Sequence, residues 1–310
     1  MRPTWKILCL LFGFLLYTSA SVGHPSYGLV VTPDGDIFFC DVLHHEGTLW
    51  RIDRAGRLDA VLTGVHSHFI MADAEGSVWG TDHDYLPSID GNRNSLWKLT
   101  EDLSKVVVIP PTTDPRQFSG VNFVVDSRGT VFFAHDHQLY VRGDSVAPRL
   151  FIPEKFGRIT SLQIDRDDMM YVVDTDRGHG SVFMVSPGGE VDLTADSLRE
   201  ARPLNPPFED PVYHLLYAAH VDPDGVIYLA DSGSRRVLRI APESPVSTVY
   251  RSDPPWWPVA YVTQGGSAYV MEAGFVDGVG NQGPRIVRIR DGVSEVLCEI
   301  TADTRAWPGQ

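Results

Sequence analysis

Val65-His66-Ser67-His68 places two imidazoles two residues apart. On an extended chain that spacing turns both rings to one side. Two such nitrogens either present ligands to one cation or pack and hydrogen-bond to one another in a polar funnel. His24 and His214 stand at equivalent positions in two other repeats, eleven residues before a recurring turn residue. The candidate metal set is therefore His66, His68, His214 and His24, and the implied cofactor is a divalent cation, zinc or calcium. Proton transfer points to Asp82 and His135, from Asp82-His83-Asp84-Tyr85 and His135-Asp136-His137. The competing role for these acids is to cap a strand turn through the backbone, because an acid recurs there in nearly every repeat. His135 alone breaks that register. Arg158 occupies the slot that His66 holds in its own repeat. Its guanidinium fork suits a carboxylate or sugar acid, and equally a structural ion pair. Tyr27, Asn122, Tyr217, Trp256 and Trp257 are candidate ligand-binding walls, since aromatic faces beside a few polar groups suit an amphipathic organic ligand. The same aromatics would also serve simply to close a channel. His44-His45-Glu46 reads as a solvated connection.

The elements that must position these residues form a repeat. Anchored on a turn residue, copies fall at Gly35, Gly76, Gly129, Asp168, Gly225 and Gly266, in steps of 41, 53, 39, 57 and 41 residues. That is the period of a four-stranded blade. Six residues after each anchor stands Asp41, Asp82, His135, Asp174, Asp231 or Glu272. The fold predicted is all-β, a six-bladed β-propeller with four antiparallel strands per blade. Second strands read IFFCD, VWGTD, VFFAH, MYVVD, IYLAD and AYVME, β-branched and aromatic as half-buried strands prefer. The long connections Asp84–Asn94, Ala195–Pro211 and Gly274–Pro284 leave from one end of the blades and crowd one mouth of the channel, which marks a binding face.

The 310 residues carry a formal charge of −14, which argues against nucleic acid or an anionic membrane as partner. Arg2 and Lys6, the apolar run from Ile7 to Leu16 and the small residues Thr18-Ser19-Ala20 predict a secretory signal over 1–20. Cleavage after Ala20 or Gly23 would leave a propeller over 24–302 and a tail over 303–310. The mature protein is then expected to be secreted or periplasmic, without a membrane span, and monomeric. Export leaves Cys40 and Cys298, on an inner strand of blade one and the outer strand of blade six. Those positions favour two separate thiols over a disulfide.

Val221-Asp222-Pro223-Asp224-Gly225-Val226-Ile227-Tyr228-Leu229-Ala230-Asp231, followed by Arg236-Val237-Leu238-Arg239-Ile240, resembles the NHL repeat, and Tyr27 to Gly35 is a second good copy. The resemblance covers nearly all of the mature chain and is specific for architecture; three enzyme groups of this propeller superfamily offer site patterns to compare, and none matches in full. Peptidyl-hydroxyglycine amidating lyases place zinc-binding histidines before the inner-strand glycine. Tyr27, His68, Val121, Thr160, Tyr217 and Pro258 hold that position here, and His68 is the one match. Gluconolactonase-like and regucalcin-like propellers hold a cation with Glu, Asn and Asp at inner-strand starts. Asn122 matches, whereas Tyr27 stands where the Glu would be. Streptogramin lyases are similar in their strand starts but have seven blades. The resemblance implies a small organic ligand at the channel mouth and, in an enzyme, metal-dependent lactone hydrolysis or a lyase reaction. Its alternative is a non-catalytic propeller that binds protein or glycan. Neither a Gly-x-Ser-x-Gly elbow nor a His-Glu-x-x-His run is present, which disfavours serine-triad hydrolysis and metalloproteolysis.

Overall fold

A computed structural model describes residues 25–143, 147–200, 215–276 and 280–305. The expected signal segment, His24 and His214 lie outside the described residues. Blade one is β1 (Leu29–Val31), β2 (Ile37–Asp41), β3 (Thr48–Ile52) and β4 (Leu58–Thr63). Blade two is β5 (Ile70–Ala72), β6 (Val78–Leu86), β7 (Gly91–Leu99) and β8 (Lys105–Thr112). Blade three is β9 (Phe123–Val125), β10 (Val131–His135), β11 (Gln138–Arg142) and β12 (Arg149–Leu150). Blade four is β13 (Ile159–Ile164), β14 (Met170–Asp174), β15 (Ser181–Val185) and β16 (Val191–Ala195). Blade five is β17 (Leu216–Val221), β18 (Ile227–Asp231), β19 (Arg236–Ile240) and β20 (Ser247–Arg251). Blade six is β21 (Trp256–Gln264), β22 (Ser267–Val276), β23 (Gly280–Arg290) and β24 (Val293–Glu299). Each four-stranded sheet is built from consecutive strands, paired antiparallel in chain order. Among the described residues there is no α-helix, and no helix is long and apolar enough to cross a membrane.

The repeating turn has a chemical cause. Asp73, Asp126, Asp165 and Asp222 each accept the backbone N–H four residues on, at 2.7–2.9 Å. The anchor residue's N–H in turn donates to that aspartate's carbonyl. This Asx geometry needs a left-handed residue at the anchor, supplied by Gly76, Gly129 and Gly225 and, in blade four, by Asp168 at φ 59°. Blade six replaces it with a two-residue Gly265-Gly266 hairpin, both glycines at positive φ. That substitution explains why its repeat is the faintest in the sequence.

The inner strands stand around the axis. β1 touches β5 on one side and β21 on the other, so the ring closes by blade contact without strand exchange among the described residues. Packing there is close: a Cβ on Gly28 would lie 2.8 Å from the Ile70 amide and 2.9 Å from Cys40 Sγ. The tail adds a tie, because His45 Nε2 lies 2.7 Å from the Thr304 carbonyl. Apolar side chains of all six blades merge into one core around Phe39, Leu96, Phe133, Val172, Ala230 and Ile286. Cys40 and Cys298 are both free thiols, and burial pushes each up to about 12.

Two of the expected loops are strands. Asp84–Asn94 and Gly274–Pro284 continue β6–β7 and β22–β23 outward as hairpins, with Leu86 paired to Gly91 and Val276 to Gly280. An extended ladder satisfies backbone groups that a free loop of that length would leave to water.

Candidate functional site

Six residues come together at the mouth where the inner strands begin. Tyr27 precedes β1, His68 precedes β5, Asn122 precedes β9, Arg158 and Thr160 flank the start of β13, and Tyr217 is the second residue of β17. With His83 of β6 and the apolar Val121, Ile159 and Leu215, they line a cavity of about 260 Å³. Five of the predicted site residues are therefore neighbours: Tyr27, His68, Asn122, Arg158 and Tyr217.

Imidazoles form one wall. His66 Nε2 and His68 Nε2 are 2.9 Å apart with ring centroids at 4.7 Å. His68 meets His83 edge to face, centroids 5.8 Å apart. The His83 amide donates to the His66 carbonyl at 2.9 Å, which locks β6 to the His66–His68 segment. The tautomer of His83 follows from Asn94. That amide donates through Nδ2 to the Phe118 carbonyl at 3.3 Å, so its Oδ1 faces His83 Nδ1 at 2.6 Å and accepts. The proton of His83 therefore sits on Nδ1, and Nε2 carries the lone pair. Burial holds the His83 pKa below the usual imidazole value, against the opposing pull of the Asn94 hydrogen bond and the Asp84 charge. Gly120 makes room for this arrangement, since a Cβ there would stand 2.4 Å from Asn94 Oδ1.

The facing wall is aromatic and amide. Tyr27 Oη donates to Asn122 Oδ1 at 3.2 Å, and Asn122 Nδ2 donates to the Ile159 carbonyl at 3.1 Å. Tyr27 packs 5.6 Å from the Tyr217 ring and 5.9 Å from Phe69. Burial, then the Tyr217 and Cys40 groups, raise the Tyr27 pKa, while the nearby Arg158 charge pulls it down, so the phenol keeps its proton.

The remaining predicted residues lie elsewhere. Asp82 is held by Lys105 Nζ at 2.5 Å and Ser95 Oγ at 3.3 Å, away from the cavity. Adjacent strand residues face opposite ways, so on β6 it is His83 that lines the mouth. That alternation was the available signal for His83. His135 contacts Asp136 at 3.2 Å and packs 6.0 Å from Tyr140, outside the cavity lining. Trp257 is core, 1% exposed, and Trp256 lies under the Arg285 guanidinium at 4.1 Å, so neither walls the cavity. The recurrent acids do cap turns or pair locally. Asp41 accepts from the Leu43 amide, Asp231 pairs with Arg236, and Glu272 pairs with Arg285 at 2.5 Å.

The fold and its histidine-lined mouth define a six-bladed β-propeller with a small polar-aromatic cavity at one end of its channel. No family profile matches the chain, and no curated protein matches it. Solved structures share the fold. Virginiamycin B lyase from Staphylococcus aureus is 12% identical, over 90% of this chain and 86% of that one, with a TM-score of 0.56. A gluconolactonase from Xanthomonas campestris is 10% identical over 80% and 84%, with a TM-score of 0.56. A luciferin-regenerating enzyme is 13% identical over 88% and 93%, with a TM-score of 0.58.

Proposed function

We propose that this propeller is a lactone hydrolase or a lyase acting on a small organic substrate in the cavity lined by His68 and His83, with His66 behind His68. The observation that carries the reading is the His83–Asn94 pair, which orients the imidazole with its lone pair on Nε2 beside a partly apolar cavity open at the mouth. Such a group is a general base poised below neutral pH. It would take a proton from an attacking water in lactone opening, or from the carbon next to an acyl or ester group in elimination. The Tyr27 phenol, which keeps its proton, would turn that proton from Asn122 Oδ1 to the oxygen on which charge develops.

The residues present fit a nitrogen-loving cation better than calcium. Two nitrogens 2.9 Å apart can share one ion at metal–nitrogen distances of about 2.0–2.1 Å. Calcium asks for roughly six to eight oxygens, and the described lining has no carboxylate. Among the described residues no three His, Cys, Asp or Glu groups gather around one point, so His66 and His68 would form part of a ligand set. When bound, the ion would polarise a carbonyl or acidify a water.

Turnover of a panel of aliphatic and aromatic lactones and cyclic esters, with and without added zinc, tests the proposal. His83→Ala is expected to lose about 10²–10⁴-fold in kcat/KM. Absence of turnover across the panel, with metal replete, would overturn it. The interaction reading draws support from the β6–β7 hairpin tip, where Tyr85 and Ile89 are 59% and 53% exposed. Capture of a protein or glycan partner that Tyr85→Ser abolishes, in a chain without turnover, would favour it.

A further inference from the structure

In a chain of net charge −14 the cavity has no acidic side chain among its described lining residues, and it has one arginine. The acid closest in register to that arginine is committed to backbone amides. Asp174 accepts from the N–H groups of Gly157 at 2.5 Å, of Arg158 at 3.0 Å, and of Asp176 and Arg177 at 3.1 Å. Gly157 permits this approach, because a Cβ there would lie 2.7 Å from Asp174 Oδ1. The Arg158 carbonyl in turn accepts from the Thr175 amide at 2.9 Å. Both backbone polar groups of Arg158 are thus held, while its guanidinium makes no ion pair with a described carboxylate and stays exposed at the rim. Arg177, nearby, shows the alternative: it pairs with Glu154 at 3.2 Å.

We propose that the ligand of this cavity carries a free carboxylate, bound by the Arg158 guanidinium, with its apolar part against Tyr27, Tyr217 and Leu215. This deepens the proposed function and rests on the cavity being its site. A planar fork on a fixed backbone suits a carboxylate, and no acid among the described lining residues competes for it. A space of about 260 Å³ limits the ligand to roughly one ring with a short side arm, since pockets for larger drug-like ligands start near 300 Å³. The substrate class is a small monocyclic or short-chain acid or acid-bearing lactone.

The test is calorimetric titration of the full mature chain with phenylacetate, benzoate and gluconate, each against its neutral amide. At least one carboxylate is expected to bind ten-fold or more tightly than its amide. Arg158→Gln should erase that preference, and Arg158→Lys should restore part of it. Equal binding of acid and amide, an unchanged preference in the Gln variant, or no binding of any carboxylate would overturn the inference. The two proposals fail separately. Turnover of neutral lactones without acid preference removes this one, and acid preference without any lactone or ester turnover removes the catalytic one.

Discussion

Asn94→Asp isolates the feature on which the catalytic reading depends. The wild-type amide gives His83 Nδ1 a neutral acceptor 2.6 Å away and is itself anchored on the Phe118 carbonyl. A carboxylate in that place keeps the acceptor and adds a charge. A charge at hydrogen-bond distance raises an imidazole pKa by about 1–3 units, or roughly 1.4 kcal/mol per unit. Wild-type His83 sits below 6.5 because burial disfavours its charged form. Its folded pKa is therefore below its unfolded one, and the unfolded chain binds more protons as pH drops through 6.5. The stability that neutral His83 contributes is complete above 6.5 and is lost progressively as pH falls toward the folded pKa. In the variant that loss should shrink or reverse. Activity should move the other way: the acid limb of kcat/KM lies below 6.5 in wild type and shifts upward by a unit or more. At pH 6 the variant is then expected to keep a smaller fraction of its own plateau rate than the wild type keeps of its own. Loss of the donor to Phe118 should cost about 1–3 kcal/mol in urea unfolding at neutral pH. A pH–rate profile and a proton NMR titration of the His83 ring read the shift directly. An acid limb and ring titration that coincide in the two proteins would refute the assignment of His83 as the base.

His68→Ala is expected to remove most zinc retained after dialysis while leaving circular dichroism unchanged, and zinc affinity of the parent should fall below about pH 6 as imidazole protonates; elemental analysis of both proteins checks it. Gly80→Ala should destabilise by about 1–3 kcal/mol or more in thermal unfolding, because the new Cβ would stand 2.3 Å from Trp97 Cζ2 and 2.9 Å from an Ile70 methyl. Protein recovered outside cells of a secreting host should begin at Ser21 or His24 by intact mass, and an untrimmed Met1 in that fraction would contradict the expected export.

The architecture was legible because its cause is local. An aspartate that caps its own turn, with a left-handed residue three positions on, leaves the same letters in blade after blade. Even the exception is instructive, since Gly265-Gly266 makes a different turn and its blade lost the motif. Site residues at inner-strand starts were legible for a related reason: ring geometry brings equivalent positions together, and Tyr27, His68, Asn122, Arg158 and Tyr217 do share one cavity. What the letters did not separate was facing. Asp82 carries the repeat register and His83 does not, yet strand alternation gives the cavity to His83. Trp256 and Trp257 show the other limit, because an aromatic near a channel has the same letter whether it closes the core or walls a pocket. The outer parts of β6–β7 and β22–β23 look like loops in the sequence because their polar, glycine-bearing segments lack the apolar alternation of buried strands, while backbone pairing alone extends them.

The manner of ring closure has a consequence for how such a chain can change. Blade one and blade six each hold four strands of their own, and they meet through side chains and the His45–Thr304 contact. In-frame duplication or loss of a whole blade would therefore split no sheet and orphan no row of backbone donors. The number of blades is then open to revision by a single genetic event, with the diameter of the mouth, and hence the size of ligand it admits, changing in the same step.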